Sequence, residues 1–259
     1  MPQLTPRLLT DLPSDLGFQA GFSTISDGNM SYRFGGEAEV YENRRAFFAA
    51  RNIPGDRLVT FFTHHAEQID LLEDIEFEQD ALRGQPRFDP TDVIVTRTPR
   101  TGLFLTFADC VPLAFLDRQQ RILCFAHVGW RSMALGLTGK TLAYLRDRCG
   151  CQMEDLVVVK GPCIRKESYR FRDPVQARES AWAPFLTLES DGTTAIDLSG
   201  FALSEMAAAG LKETQIYAAP EDTAAHPNLF SHYAATVLDR PEKNGRILFY
   251  AWMDSPPTN

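Results

Sequence analysis

Residues Leu103 to His127 read LFLTFADCVPLAFLDRQQRILCFAH, two apolar runs, Leu103 to Asp117 and Arg121 to His127, parted by the polar turn Arg118-Gln119-Gln120. Runs joined by so short a turn pair antiparallel. Working outward, Arg57 to His64 and Asp92 to Thr96 read as strands, and Glu42 to Asn52 as a helix ended by Pro54. Trp130 to Arg148 has near-helical apolar spacing closed by Gly150, and Asp155 to Lys160 is a buried-type strand ended by Gly161-Pro162. A helix from Ser199 to Ala209 stops at Gly210, and strands follow near Gln215 to Ala218 and Arg246 to Trp252. Helices interleave with strands around an antiparallel pair, so the class is α/β (α+β) with a mixed sheet. With no repeat and no linker, one domain over residues 1–259 is expected.

Lys and Arg total 26 against 34 Asp and Glu, a net charge of -8, so no broad positive field exists to attract a nucleic acid. The longest apolar stretch, Gly102 to Leu116, is interrupted by Asp109 and falls short of the ~20 residues that span a bilayer. The N-terminus lacks the basic start and apolar core of a signal peptide, which predicts a cytoplasmic protein. The five cysteines, an odd number, are expected to be free thiols, and Cys149-Gly150-Cys151 reads as a helix end.

A hairpin centred between Arg118 and Gln119 places Cys110 opposite His127. Directly opposed residues have Cβ atoms about 4.5 to 5.5 Å apart, from which a thiolate and an imidazole can share a zinc-sized ion or act as nucleophile and base. Arg-Gln is not a favoured tight turn, and a slip of one residue separates the two side chains onto opposite faces. Pro112 points to an edge or a bulge. Asp109, amid Phe107, Val111 and Leu113, needs a compensating donor, cation or metal-bound group, and opposite faces of one strand would set it behind Cys110. His64 and His65 can each supply a third metal ligand, but an extended strand presents only one of them, and apolar residues on both faces leave the choice open. His226 and His232 lie in a loop-like stretch and read as solvated.

At these residues the chain resembles the laccase-domain family, also called YfiH-like or multicopper polyphenol oxidase and, in bacteria, peptidoglycan editing factor. The resemblance rests on Asp92-Val93-Ile94-Val95-Thr96, Ala108-Asp109-Cys110-Val111-Pro112 and Ala126-His127-Val128-Gly129-Trp130-Arg131. Gly161-Pro162-Cys163-Ile164, Gly21 to Thr24, Asn43-Arg44 and Gly245-Arg246 extend it along most of the chain. It implies a mixed α/β sandwich and a metal site of His65, Cys110 and His127, with His65 selected because the family's Gln-x-His-Gly falls on Thr63-His64-His65-Ala66. One Cys and two His suit tetrahedral zinc better than a multicopper cluster, with copper the alternative. The implied activities are purine nucleoside phosphorolysis and adenosine deamination. Zinc that activates a water accounts for deamination, whereas phosphorolysis needs a held phosphate.

The chain departs from the family at four places. Phe230-Ser231-His232-Tyr233-Ala234 stands where the family has Phe-Ser-Tyr-Arg-Arg, and Ser31-Tyr32-Arg33-Phe34-Gly35 where it has Ser-Leu-Asn-Leu-Gly. Asp222-Thr223 replaces Cys-Thr, and Ser168-Tyr169-Arg170-Phe171 replaces Cys-x-Glu-Val. The expected catalytic set is therefore Cys110, His127, Asp109 and Arg131, with Arg33 and Arg131 as substitutes for the lost arginines and weak phosphorolysis as the consequence. The competing expectations are a Cys110–His127 hydrolase or amidase acting on a peptidoglycan precursor, and a metal-binding protein with reduced catalysis.

Overall fold

The structure, a computed structural model, describes residues 4–63, 69–72, 77, 80–84 and 90–255. In chain order the strands are β1 (Arg7–Leu8), β2 (Phe18–Phe22), β3 (Leu58–Thr60), β4 (Ile69–Leu72), β5 (Val93–Thr96), β6 (Thr101–Phe107), β7 (Val111–Asp117), β8 (Ile122–Val128), β9 (Leu156–Lys160), β10 (Arg170–Phe171), β11 (Leu186–Leu188), β12 (Thr194–Ile196), β13 (Ile216–Ala218) and β14 (Ile247–Met253). The α-helices are α1 (Glu37–Ala49), α2 (Trp130–Ala134), α3 (Leu137–Cys149), α4 (Leu198–Ala208) and α5 (His232–Thr236). None of the described helices is long and apolar enough to cross a membrane.

A mixed seven-stranded sheet runs β1-β13-β9-β7-β8-β5-β4, and a four-stranded sheet runs β2-β14-β6-β3. A small antiparallel ribbon, β10-β12-β11, stands apart from both. β7 and β8 are buried along their whole length because both faces of the large sheet are covered. Alternation sends Leu113, Phe115, Cys124 and Ala126 into a core shared with α3 and α4. Ala114, Leu116, Leu123 and Phe125 go into a second core shared with the four-stranded sheet. On the outer face of that sheet, Phe48 of α1 packs edge-on against Phe104 and Tyr250. The layers are thus helices, large sheet, small sheet and helix, a mixed α/β sandwich as the sequence led us to expect.

The structure departs from that reading at four points. The apolar run Leu103 to Asp117 is two strands in two sheets, because Asp109 adopts a left-handed φ of 77° and turns the chain from one sheet to the other. The helix expected over Trp130 to Arg148 breaks at Gly136, φ 75°, before ending at Gly150, φ 76°. In the β7–β8 hairpin His127 pairs with Pro112, not Cys110. The turn occupies Arg118 to Arg121, with the Gln120 amide donating to Asp117 Oδ1 at 2.8 Å and Arg121 at φ 53°, so the register slides by two residues. A two-residue slide preserves the faces. Pro112 lies in an interior strand, not at an edge or a bulge; pairing with β9 starts at Leu113, after the missing N–H. Its carbonyl accepts the Gly161 amide, and a Cβ on Gly161 would come within 2.7 Å of Pro112 Cγ and 2.9 Å of Phe249 Cδ2.

Phe125 sits between the sheets with its ring centroid 5.9 Å from Phe61 and 5.2 Å from Phe249. Phe125→Ala is expected to lower the unfolding free energy by about 3 to 5 kcal/mol in urea titration, and a loss below about 1 kcal/mol would contradict this packing.

Candidate functional site

The bend Ala108-Asp109-Cys110 is held by three hydrogen bonds. The Asp109 carbonyl accepts the Ile164 amide at 3.0 Å. Its carboxylate accepts the Thr223 hydroxyl at 2.6 Å and the Tyr233 amide at 2.7 Å, the latter in the first turn of α5. Burial pushes the Asp109 carboxyl up, while donors from Thr223, Tyr233 and Ser231 favour the charged form. Asp109 thus stands behind Cys110 because of the left-handed bend and not by strand alternation.

The bend projects Cys110 beyond the end of β7 to within hydrogen-bond reach of the His127 imidazole. Asp92 Oδ1 lies 3.8 Å from the His127 Nδ1, and the Asp92 carbonyl accepts the His127 amide at 2.9 Å. Burial opposes charge on His127, but the Cys110 sulfur and the Asp92 carboxylate outweigh it and push the imidazole up to about 9. The structure therefore brings two expected metal ligands together despite the corrected register. His64 and the third expected ligand, His65, lie outside the described residues. Among the described residues no group of three His, Cys, Asp or Glu side chains is placed to hold a metal.

Tyr169, part of an aromatic cluster, and Arg246 lie near Cys110, with Arg131 close to Tyr169 and Arg33 close to Arg246. Tyr169, Phe171 and Tyr233 contact one another edge to face with centroids 5.0 to 5.5 Å apart. Burial, with the Cys110 and Asp109 charges, pushes the Tyr169 hydroxyl up, and Arg131 opposes the shift. Arg131 itself is exposed and stacks on Trp130 at 4.4 Å. Arg33 is also exposed, 5.7 Å from the Phe34 ring centroid. The same ring carries Arg246 at 4.1 Å, a half-buried guanidinium that burial shifts down and that feels Asp109, Arg33 and Cys110. The sequence places Asp92 and Arg246 in strands and in family-like segments but gives them no role at the site; their polarity at strand ends beside buried runs is the signal for one. His232 is exposed, and His226 Nδ1 accepts the Asn228 amide at 3.2 Å.

Residues 19–254 match the family described as multi-copper polyphenol oxidoreductase laccase. The chain belongs to this family. Among its laccase-like relatives, Purine nucleoside phosphorylase Rv2149c of Mycobacterium tuberculosis is 28% identical over 221 residues, 84% of this chain and 80% of that protein. Purine nucleoside phosphorylase YlmD of Geobacillus stearothermophilus is 27% identical over 236 residues, covering 84% and 85% respectively. The crystal structure of that YlmD aligns with a TM-score of 0.79 over 92% of this chain and 93% of its own, at 25% identity. YfiH of Bacillus licheniformis aligns with the same TM-score and coverage at 22% identity, which establishes the shared laccase-like fold.

Because each carboxylate oxygen of Asp109 holds a buried donor, Asp109→Ala is expected to cost about 3 kcal/mol or more of stability, from two charge-assisted bonds of about 1.5 to 3 kcal/mol each. Denaturant unfolding measures this, and a change within about 1 kcal/mol would mean that the bend does not depend on the carboxylate.

Proposed function

We propose that the chain is a metal-dependent purine nucleoside enzyme, carrying out phosphorolysis, deamination or both beside Cys110 and His127. The observation that carries this reading is the contact between the Cys110 thiol and the His127 imidazole, with Asp92 behind the ring. Sulfur and nitrogen donors suit zinc, and a carboxylate behind a ligating imidazole fixes its orientation and raises its basicity. By family position His65 is the third ligand, with copper as the alternative metal. One Cys and two His are too few for a multicopper cluster, so the nucleoside reading fits these residues better than the oxidase description. Likeness over 84% of the chain to proteins named purine nucleoside phosphorylase supports the substrate class.

Zinc held there supplies Lewis-acid polarisation to a bound substrate. The rings of Tyr169, Phe171 and Tyr233 offer apolar faces and edges for a planar base. Asp109 acts through position, since its oxygens already hold Thr223 and Tyr233. Phosphate requires cations, and guanidinium forks bind it in a bidentate manner. Arg246, which feels the Cys110 sulfur, Arg33 beside it and Arg131 near Tyr169 are cations that can replace the family's missing pair.

The same contact also suits a cysteine nucleophile with His127 as base and Asp92 as its orienting group, acting as a hydrolase or amidase on a peptidoglycan precursor. Metal analysis separates the two readings, because thiolate sequestered by zinc is a poor nucleophile. We expect about one zinc per chain in native protein, lost in Cys110→Ala. Metal-free protein that hydrolyses amides through Cys110 would favour the second reading.

Loss of two arginine contacts worth about 1.5 to 3 kcal/mol each lowers phosphate-dependent turnover of adenosine by roughly two to four orders of magnitude unless other cations compensate. Arg131→Ala and Arg246→Ala are each expected to raise KM for phosphate about tenfold with zinc content unchanged. Phosphate kinetics identical to wild type in both variants would remove these residues from the anion site.

A further inference from the structure

A cavity of about 890 Å³ opens at the carboxyl ends of the adjacent parallel strands β1, β13 and β9, whose last residues Leu8, Ala218 and Lys160 all line it. On the large sheet Lys160 and His127 point to opposite faces. Lys160 continues the alternation of Leu156 and Val158, which face the helix-side core, whereas His127 continues that of Leu123 and Phe125, which face the four-stranded sheet. Carboxyl ends of parallel strands are where α/β sheets bind ligands.

Among the described residues the lining is cationic, in a chain of net charge -8: Arg7, Lys160, Arg165 and Lys166 against Asp197. Asp197 Oδ1 is engaged as the cap of α4, accepting the Gly200 amide at 2.7 Å. Lys160 is 1% exposed, yet among the described residues it has no carboxylate partner. Its Nζ reaches only the Gly161 carbonyl at 3.2 Å and Cys163 Sγ at 3.5 Å, two partners for three donors. A buried lysine without a counter-charge is costly unless something else supplies the negative charge. Arg165 and Lys166 likewise form no ion pair among the described residues. The first turn of α4 adds Ser199 and Gly200 to the rim, at the end of the helix where anions are favoured.

From these observations we propose that this cavity binds a phosphorylated small molecule, its phosphate between Lys160, Arg165 and Lys166. Phe185 and Leu203 on the cavity wall suit an apolar or planar body, and the volume exceeds what a bare phosphate fills.

Calorimetric titration of the full chain with adenosine monophosphate and with inorganic phosphate tests this, together with hydrogen exchange to locate the bound probe. The expected result is salt-sensitive, saturable binding that protects residues 160–166 and 197–204. Arg165→Ala/Lys166→Ala should weaken it about tenfold or more, and Cys110→Ala should leave it unchanged. Tighter binding of the nucleotide identifies a ligand with a body, and equal binding identifies free phosphate as the occupant; both support an anion site. Lys160→Met should fold and lose binding, and if it does not fold the double variant decides. No saturable binding, protection confined to residues 111–128, or affinity unaltered in Arg165→Ala/Lys166→Ala would overturn the proposal.

Discussion

The Asp109 carboxylate, desolvated among apolar strands, accepts Thr223 and the Tyr233 amide while the same residue's carbonyl accepts Ile164. A left-handed backbone in a residue other than glycine costs of order 1 to 3 kcal/mol, and these bonds outweigh it. The bend moves the chain from the four-stranded sheet to the seven-stranded one. It also frees Cys110 from strand alternation, which would fix it opposite a residue beyond His127. Architecture and site geometry therefore rest on one clamp, and the loops that close it, around Ile164, Thr223 and α5, are those that surround Cys110.

Three of the four departures from the family pattern meet one another in the structure beside that clamp. Where the family has cysteines, this chain has Ser168 and Asp222, and the serine hydroxyl donates to the carboxylate at 2.6 Å. Where the family has an arginine and a glutamate, it has Tyr233 and Arg170, and the tyrosine hydroxyl donates to the Arg170 carbonyl at 2.8 Å. Paired changes keep the loop fastened to α5 without stranding a buried charge, which would cost far more than either contact supplies. They also remove cations from α5. Positive charge near Cys110 then has to come from other elements, and Arg246, entering β14 beneath the Phe34 ring, is more buried than Arg33 or Arg131.

Strand alternation and helix stops in the sequence made the mixed α/β class legible, since Gly150 and Gly210 lie in left-handed geometry where those helices end. The bend was not legible, because Phe107 and Val111 on either side of it are equally apolar and periodicity registers only the run. Hairpin register depended on the Asp117 side chain and the Arg121 backbone, which act through the turn and leave no mark on the apolar pattern. Cys110 and His127 were legible as a pair of reactive side chains near one hairpin, but the bend at Asp109 and not the expected register brings them together. Tyr169 and Arg246 were not, since long-range folding alone carries them to Cys110.

Lys160 shows the same limit from the other direction. At the end of Leu156-Val157-Val158-Val159 it reads as the polar stop of a buried strand, and only the parallel neighbours β13 and β1 make that stop the floor of a cavity. The short segment from Lys160 to Arg165 is committed on both faces of the sheet. Lys160 and Arg165 line the cavity, Cys163 bridges to Asp222, and the Ile164 amide holds the Asp109 bend. Pro162 fixes one backbone dihedral within it, and Gly161 has no room for a Cβ against Pro112 and Phe249. Little freedom remains for this segment to move, so the geometry behind Cys110 and that around Lys160 are set by the same few backbone bonds.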